Sequence, residues 1–178
     1  EGCAAATALA QIKWLHHKGC IADVVVSAKN KNKLLLLSEL EEVSRNVYLA
    51  TDDGSVGFHG PVAQLLELLL NKDEHGYDLV IAVGSLCMMK AVTTTTQGHG
   101  ILTITNFTLL LADSIIQNSG FKINVAGITK DVAQDGPEFN ASTVDFEQAL
   151  SRISISLEHH VENNEFSDNS PKIKSMIK

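Results

Sequence analysis

With 178 residues, 44% of them apolar and 20% charged, the chain is long enough for one domain with its own core and has the composition of a soluble globular protein. Its formal charge of −7 argues against a nucleic-acid or anionic-membrane surface, which needs clustered Lys and Arg, and no apolar run reaches the ~20 residues that span a bilayer. No signal peptide opens the chain, and its three cysteines (Cys3, Cys20 and Cys87) form no CxxC, so neither a disulfide framework nor a zinc site is indicated and the expected compartment is the cytoplasm.

In chain order, "EGCAAATALAQIKWLHHKG" reads as a turn followed by a helix that Gly19 closes. "IADVVVSA" is a buried, valine-rich strand. "KNKNKLLLLSELEEVS" is a polar loop running into a short helix, and "NVYLATDD" is a second strand. The stretch "TDDGSVGFHGPVAQLL" crowds acids and glycines between two apolar runs, a composition suited to backbone access rather than packing. "PVAQLLELLLNK" is an amphipathic helix with Pro61 at its first position. "YDLVIAVG" is a third strand, "SLCMMKAVTTTT" a helix beginning beside Gly84, and "GILTITN" a fourth strand. Near-continuously apolar strands alternating with helices predict a parallel sheet covered on both faces, and such sheets bind ligands at the carboxyl ends of their strands. Gly2, the Thr51–Gly60 loop and Gly84 all fall at such ends.

Beyond Asn106 the pattern changes. "FTLLLADSIIQNSGFKINVAGITKDVAQDGPEF" reads as hairpin-like strands, and "STVDFEQALSRISISLEHH" as a helix capped by Ser142 or Thr143. The polar stretch from about Val161 to Lys178 reads as a flexible tail.

Each candidate has a functional and a bland reading. Asp52, Asp53 and Gly54 form either a nucleotide-facing loop or a turn using Asp and Gly for geometry. Gly84 and Ser85 either offer amides to a phosphate or nicotinamide, or make an ordinary strand-to-helix turn. Lys29, Lys31 and Lys33 could read a 2′-phosphate, but a solvated loop explains them equally well. His16–His17 and His159–His160 are adjacent pairs whose side chains diverge on a helix, and His59 has no evident second ligand, so all read as surface histidines. No Ser–His–Asp or Cys–His spacing supports hydrolysis or acyl transfer.

"VYLATDDGSVGFHGPVAQLL", "YDLVIAVGSLCMMKAV" and "DGPEFNASTVDFEQAL" resemble the carboxyl half of ferredoxin–NADP reductase-type flavoproteins. The resemblance is to the branch holding the dihydroorotate dehydrogenase electron-transfer subunit, the sulfide dehydrogenase beta subunit and the small subunit of NADH-dependent ferredoxin–NADP reductase. It covers about Gly2 to Leu150. It implies a pyridine-nucleotide domain that follows an FAD-binding barrel and ends in a [2Fe–2S] segment. By analogy the pyrophosphate would lie on Gly2, Ala4, Ala5 and Thr7, the ribose side on Asp52, Asp53, Gly54, Ser55 and Gly57, and the nicotinamide path at Gly84, Ser85 and Leu86. Departures are visible. A first strand and the FAD barrel are not seen before Glu1-Gly2-Cys3, Cys3 stands where glycine is usual, and Val83 is not the cysteine of some branches. Counting back from Asp135-Gly136-Pro137-Glu138-Phe139, the cluster-cysteine positions fall on Asn118, Phe121 and Ala133, while Asp113 keeps the leading aspartate. No iron–sulfur cluster is therefore expected. Phe121, Ile123, Val125 and Ile128 are expected to hold that segment by packing instead.

The expected fold is α/β: a parallel-sheet nucleotide-binding domain without its usual first strand, a β-rich appendage and a closing helix. The expected boundaries are 1–106, 107–140 for the degenerate iron–sulfur-type segment, 141–160 for the helix and 161–178 for the tail. The leading functional expectation is a pyridine-nucleotide-binding module of a flavin-dependent electron-transfer oxidoreductase. It would take NAD or NADP, with FAD supplied by a preceding domain or a flavoprotein partner subunit, and would need neither nucleic acid nor membrane insertion. The alternative is a degenerate structural or regulatory subunit of an oxidoreductase complex, without cofactor.

Overall fold

The computed structural model describes residues 2–72, 76–111 and 120–154, of which 2 and 3 by backbone alone. Helix α1, Gly2–His17, starts the described chain, so the expected turn at Gly2 is replaced by helix. The run of alanines explains this, since Ala is the strongest helix former. Gly19, at φ +79°, ends α1, with its amide on the His16 carbonyl at 3.0 Å and the Cys20 amide on that of Leu15 at 3.0 Å. β1 (Asp23–Ala28), α2 (Leu37–Glu41), β2 (Asn46–Thr51) and the short β3 (Phe58–His59) follow. Then come α3 (Val62–Lys72), β4 (Leu79–Val83), α4 (Leu86–Gly98) and β5 (Leu102–Asn106).

The strand–helix alternation read from the sequence is thus present, and the pairing is parallel where expected. β1 and β2 run together from Asp23 opposite Asn46 to Ala28 opposite Thr51, and β3 adds to β2. β4 and β5 run together from Leu79 opposite Leu102 to Val83 opposite Asn106. These are two separate three-stranded sheets: β1-β2-β3, and β4-β5-β8, where β8 (Glu138–Asn140) lies antiparallel on β5. Among the described residues no ladder joins β1 to β4.

The later part is a short α5 (Thr108–Leu111), a hairpin of β6 (Lys122–Val125) and β7 (Ile128–Asp131), a one-turn α6 (Val132–Asp135), β8, and a helix α7 over 146–154. The cap of α7 is Asp145, whose Oδ1 accepts from the Gln148 amide at 2.9 Å, rather than Ser142 or Thr143. Those two residues sit in a 3-10 turn that Asn140 caps. Expectations for Asp113, Asn118, His159, His160 and the 161–178 tail lie outside the described residues.

The larger core joins α3, α4, β4 and the hairpin through Leu66, Leu70, Ala82, Met89, Val92, Phe107, Phe121, Ile123, Val132, Phe139 and Phe146. Phe107 is its hub, edge-on to Phe139 at 5.8 Å and stacked on Phe146 at 6.4 Å between centroids. Phe121 and Ile123 are buried as expected, and Val125 packs against them, but Ile128 is 61% exposed. It opens the second strand of a hairpin at its turn, beyond the reach of the core. A smaller core under α1 joins Ile12, Val24 and Leu40.

Candidate functional site

The loop 52–57 is anchored by Thr51, whose buried side chain looks like an ordinary strand residue in the sequence and escaped that reading. Its Oγ1 donates to the Val56 carbonyl at 2.8 Å and accepts from the Val56 amide at 3.3 Å. Its own carbonyl takes the amides of Gly54 and Gly60. One buried hydroxyl and one carbonyl therefore close both ends of the loop, leaving Asp52, Asp53, Gly54, Ser55 and Gly57 exposed. The amides of Asp52 and Asp53 reach the carbonyls of Ala28 and Lys29, which carries the β1–β2 pairing past the strand ends.

Asp53 Oδ1 accepts from the Ser55 amide at 2.9 Å, and Ser55 Oγ accepts from the Lys31 amide at 2.8 Å. The loops after β1 and β2 are thus one hydrogen-bonded unit. Hydrogen bonds from Ser55, aided by the nearby His59, hold the Asp53 carboxyl below its usual range, so it is ionised at neutral pH. This unit presents acceptors on Asp53 beside the exposed Lys29, Lys31 and Lys33. Carboxylates there can accept from ribose hydroxyls, and ammonium groups can face phosphate.

The glycines have an internal explanation that the sequence did not reveal. At Gly57, φ +69°, an added Cβ would stand 2.2 Å from the Leu49 carbonyl oxygen. Gly84 is buried, and a Cβ there would stand 2.2 Å from Met88 Cε. At Gly57 the chain itself occupies the space, whatever else approaches, whereas at Gly84 the neighbour is the tip of the flexible Met88 side chain, which can swing aside.

At the end of β4, Ser85 caps α4: its Oγ accepts from the Met88 amide at 3.3 Å. Leu86 is buried in the larger core, so it has only main chain to offer a ligand. Gly2, Ala4, Ala5 and Thr7 are in the first turns of α1. α1 is followed by a short turn into the start of β1. The 52–57 loop and Gly84–Leu86 thus follow the carboxyl ends of β2 and β4, while Gly2, Ala4, Ala5 and Thr7 lie on a helix rather than on a strand-end turn.

The iron–sulfur positions are different in kind. Phe121 is in the core and Ala133 is an exposed residue of α6; neither carries a donor atom, so these side chains do not fit a thiolate-ligated cluster. Among the described residues no three His, Cys, Asp or Glu side chains group to hold a metal. Of the histidines, His17 Nδ1 meets the Lys13 carbonyl of its own helix at 2.8 Å, and His99, at the end of α4, meets Glu67 of α3 at 3.0 Å.

Away from these loops, Asp23 at the start of β1 accepts from Arg45 Nε and Nη2, from Asn46 and from Tyr77 Oη. The Arg45 hydrogen bonds above all, opposed by burial and helped by Tyr77 and Asn46, draw its pKa down to about 2. No local motif announces this group, because its members come from three elements.

No protein-family model matches the chain. Among curated proteins it is 32% identical over 154 residues to the uncharacterized protein in the adh 3′ region of Clostridium beijerinckii, covering 86% of this chain and 52% of that one. It is 31% identical over 142 residues to the dihydroorotate dehydrogenase B (NAD(+)) electron transfer subunit homolog of Thermotoga maritima, covering 80% and 49%. The chain thus spans about half the length of these relatives. Among solved structures, that of the NADH-dependent reduced ferredoxin–NADP oxidoreductase, studied for flavin-based electron bifurcation, superposes with TM-score 0.68 at 26% identity, over 88% of this chain and 58% of that one. No described helix is long and apolar enough to cross a membrane. In sequence and fold the chain is similar to the ferredoxin–NADP reductase-like proteins, the dihydroorotate dehydrogenase B electron-transfer subunits among them.

Proposed function

We propose that the chain is the pyridine-nucleotide-binding module of a flavin-dependent electron-transfer oxidoreductase, with FAD held by a preceding domain or partner subunit. The observation that carries this reading is the hydrogen-bonded unit of Asp53, Ser55 and Lys31 at the carboxyl ends of β1 and β2. It is a polar, pre-formed surface at the end of a parallel sheet where such folds take their ligands. Asp52 and Asp53 would accept from ribose hydroxyls, and the main chain of Gly2–Thr7 and of Gly84–Leu86 would line the pyrophosphate and nicotinamide. When bound, NADH or NADPH would supply the hydride; the protein's part is to position it. Titration calorimetry of the folded chain with each nucleotide tests this. Saturable heat from one of them, weakened by Asp53→Ala, is the expected result. The absence of heat from both at up to about 1 mM overturns it.

A second reading is favoured by Phe121 in the core and by the lack of a donor atom on Phe121 and Ala133: a structural or regulatory subunit that keeps the fold without cofactor. Nucleotide, flavin and iron content of natively purified protein separates the two. A stoichiometric nucleotide supports the module, and protein free of all three supports the subunit.

A further inference from the structure

The carboxyl end of α1 differs in charge from the rest of the molecule. Residues 2–22 hold Lys13 and Lys18 and no Asp or Glu, so within a total of −7 the rest of the chain carries −9. Lys13, Trp14, His16, His17, Lys18 and Ile21 are all exposed. The turn that ends the helix keeps them together, with the Gly19 amide on the His16 carbonyl and the Cys20 amide on that of Leu15, each at 3.0 Å. Trp14 is the chain's single tryptophan and is 62% exposed, as is Ile21. Lys18 Nζ lies 5.8 Å from the centre of the Trp14 ring, so the aromatic face and the cation are presented side by side. Trp14 with His17 and Lys18, three and four residues on, make one side of the helix end. A ridge of this kind packs against a second helix.

Among the described residues neither lysine has an ion-pair partner. The nearest acid that follows them in the chain, Asp23, is already engaged by Arg45, Asn46 and Tyr77. Protein interfaces place a large aromatic ring at the centre and charge at the rim, which is the composition found here. The rim fixes the partner's sign, since Lys13 and Lys18 attract carboxylates and repel cations. The rest of the chain fixes its extent. With −9 outside this patch, a long polyanion or a plane of anionic lipid is repelled wherever it reaches past the patch, whereas a short acidic segment is not. The patch is also distinct from the candidate nucleotide loops. It leads into the start of β1, and those loops follow β1 and β2 after six strand residues, about 20 Å of extended chain.

We propose that this end of α1 is a docking surface for an acidic amphipathic helix of a partner protein, with Trp14 as the anchor and Lys13 and Lys18 answering the partner's carboxylates. The proposal is independent of nucleotide binding. The probe is a synthetic helix of about 21 residues with leucine on one face and glutamate on the other, and its control carries lysine in place of glutamate. Trp14, the only tryptophan, reports contact through its emission. The glutamate peptide is expected to give a saturable blue shift at about 0.1 M salt, with binding weakened about tenfold or more at about 0.5 M. Lys13→Glu with Lys18→Glu should weaken binding by about tenfold or more, and Lys13→Gln with Lys18→Gln, which adds no new charge, by a smaller factor. No saturable shift, an equal shift from the lysine peptide, or undiminished binding by the charge-reversed variant overturns the proposal. So does a stronger shift from vesicles of anionic phosphatidylglycerol or from a DNA duplex, since the occupant would then be a membrane or a nucleic acid. A dimer in sedimentation whose Trp14 emission is already blue-shifted without peptide also overturns it, because a second copy would be the occupant.

Discussion

At Gly57 two penalties of a side chain coincide. The backbone is left-handed, φ +69°, and the new Cβ would meet a main-chain oxygen, Leu49 O, at 2.2 Å, which cannot rotate away. Gly76 is the internal control, at φ +72° with nothing within 4 Å. Gly57→Ala should cost on the order of 2–4 kcal/mol, and Gly76→Ala about 1 kcal/mol, the strain of conformation alone. Urea midpoints of the two variants check this; equal losses would mean that the loop moves off Leu49. Asp23 gives a second prediction at this scale. Its folded pKa, about 2, lies below the ordinary carboxylate value, so its contribution is fully present above that ordinary value and fades as pH falls toward 2. The wild type should lose roughly 2 kcal/mol relative to Asp23→Asn between about pH 5 and pH 2. A constant difference across that window would show that Arg45 and Tyr77 do not favour the charged form.

Among the elements, the hairpin β6–β7 and α6 form the segment in which metal-free packing can be tested. Phe121, Ile123 and Val132 are buried in the larger core, and Arg152 of α7 donates Nη1 to the Lys122 carbonyl at 2.6 Å. Phe121→Ala should therefore destabilise by about 3–5 kcal/mol, as other buried Phe truncations do, and chelator should leave the wild-type Tm unchanged. A chelator-induced drop in Tm would reveal a metal that the hydrocarbon side chains of Phe121 and Ala133 do not suggest. Much at this scale could be read from the sequence. Valine runs gave β1 and β4 their identity, Pro61 the start of α3, and the Ser85 position the start of α4, because period and capping are local chemistry. What escaped depends on partners distant in sequence. The cap of α7 is Asp145 because the turn at 141–143, itself held by Asn140, takes up Ser142 and Thr143. Ile128 is exposed because a hairpin turn lifts it from the core, which periodicity does not encode. In the candidate site, the Asp and Gly residues were visible, but Thr51 as the anchor and Leu49 as the reason for Gly57 need the third dimension.

For the whole molecule, stability should divide between the two sheets. The sheet β1-β2-β3 rests on a small core of Ile12, Val24 and Leu40, whereas β4-β5-β8 shares the large one built around Phe107. Since among the described residues no ladder crosses from β1 to β4, breaking the first sheet costs the second none of its described strand pairing. The Asp23–Tyr77 bond couples them, as do α1, which packs on β1 and touches β4, and α3, which touches β1 and shares the larger core with β4. Unequal cores joined by few bonds open in steps, the weaker first. Amides of Val24–Ala28 should therefore exchange through a partial opening, at a free energy below that of Ala82 and Ile104, which should require global unfolding. Tyr77→Phe removes one coupling hydrogen bond, worth about 1–3 kcal/mol to a charged acceptor. It should accelerate exchange on β1 by more than on β5. Native-state exchange under low denaturant measures both, and a single common free energy for the two sheets in wild type and variant would show that α1 and α3 alone weld the halves into one cooperative unit.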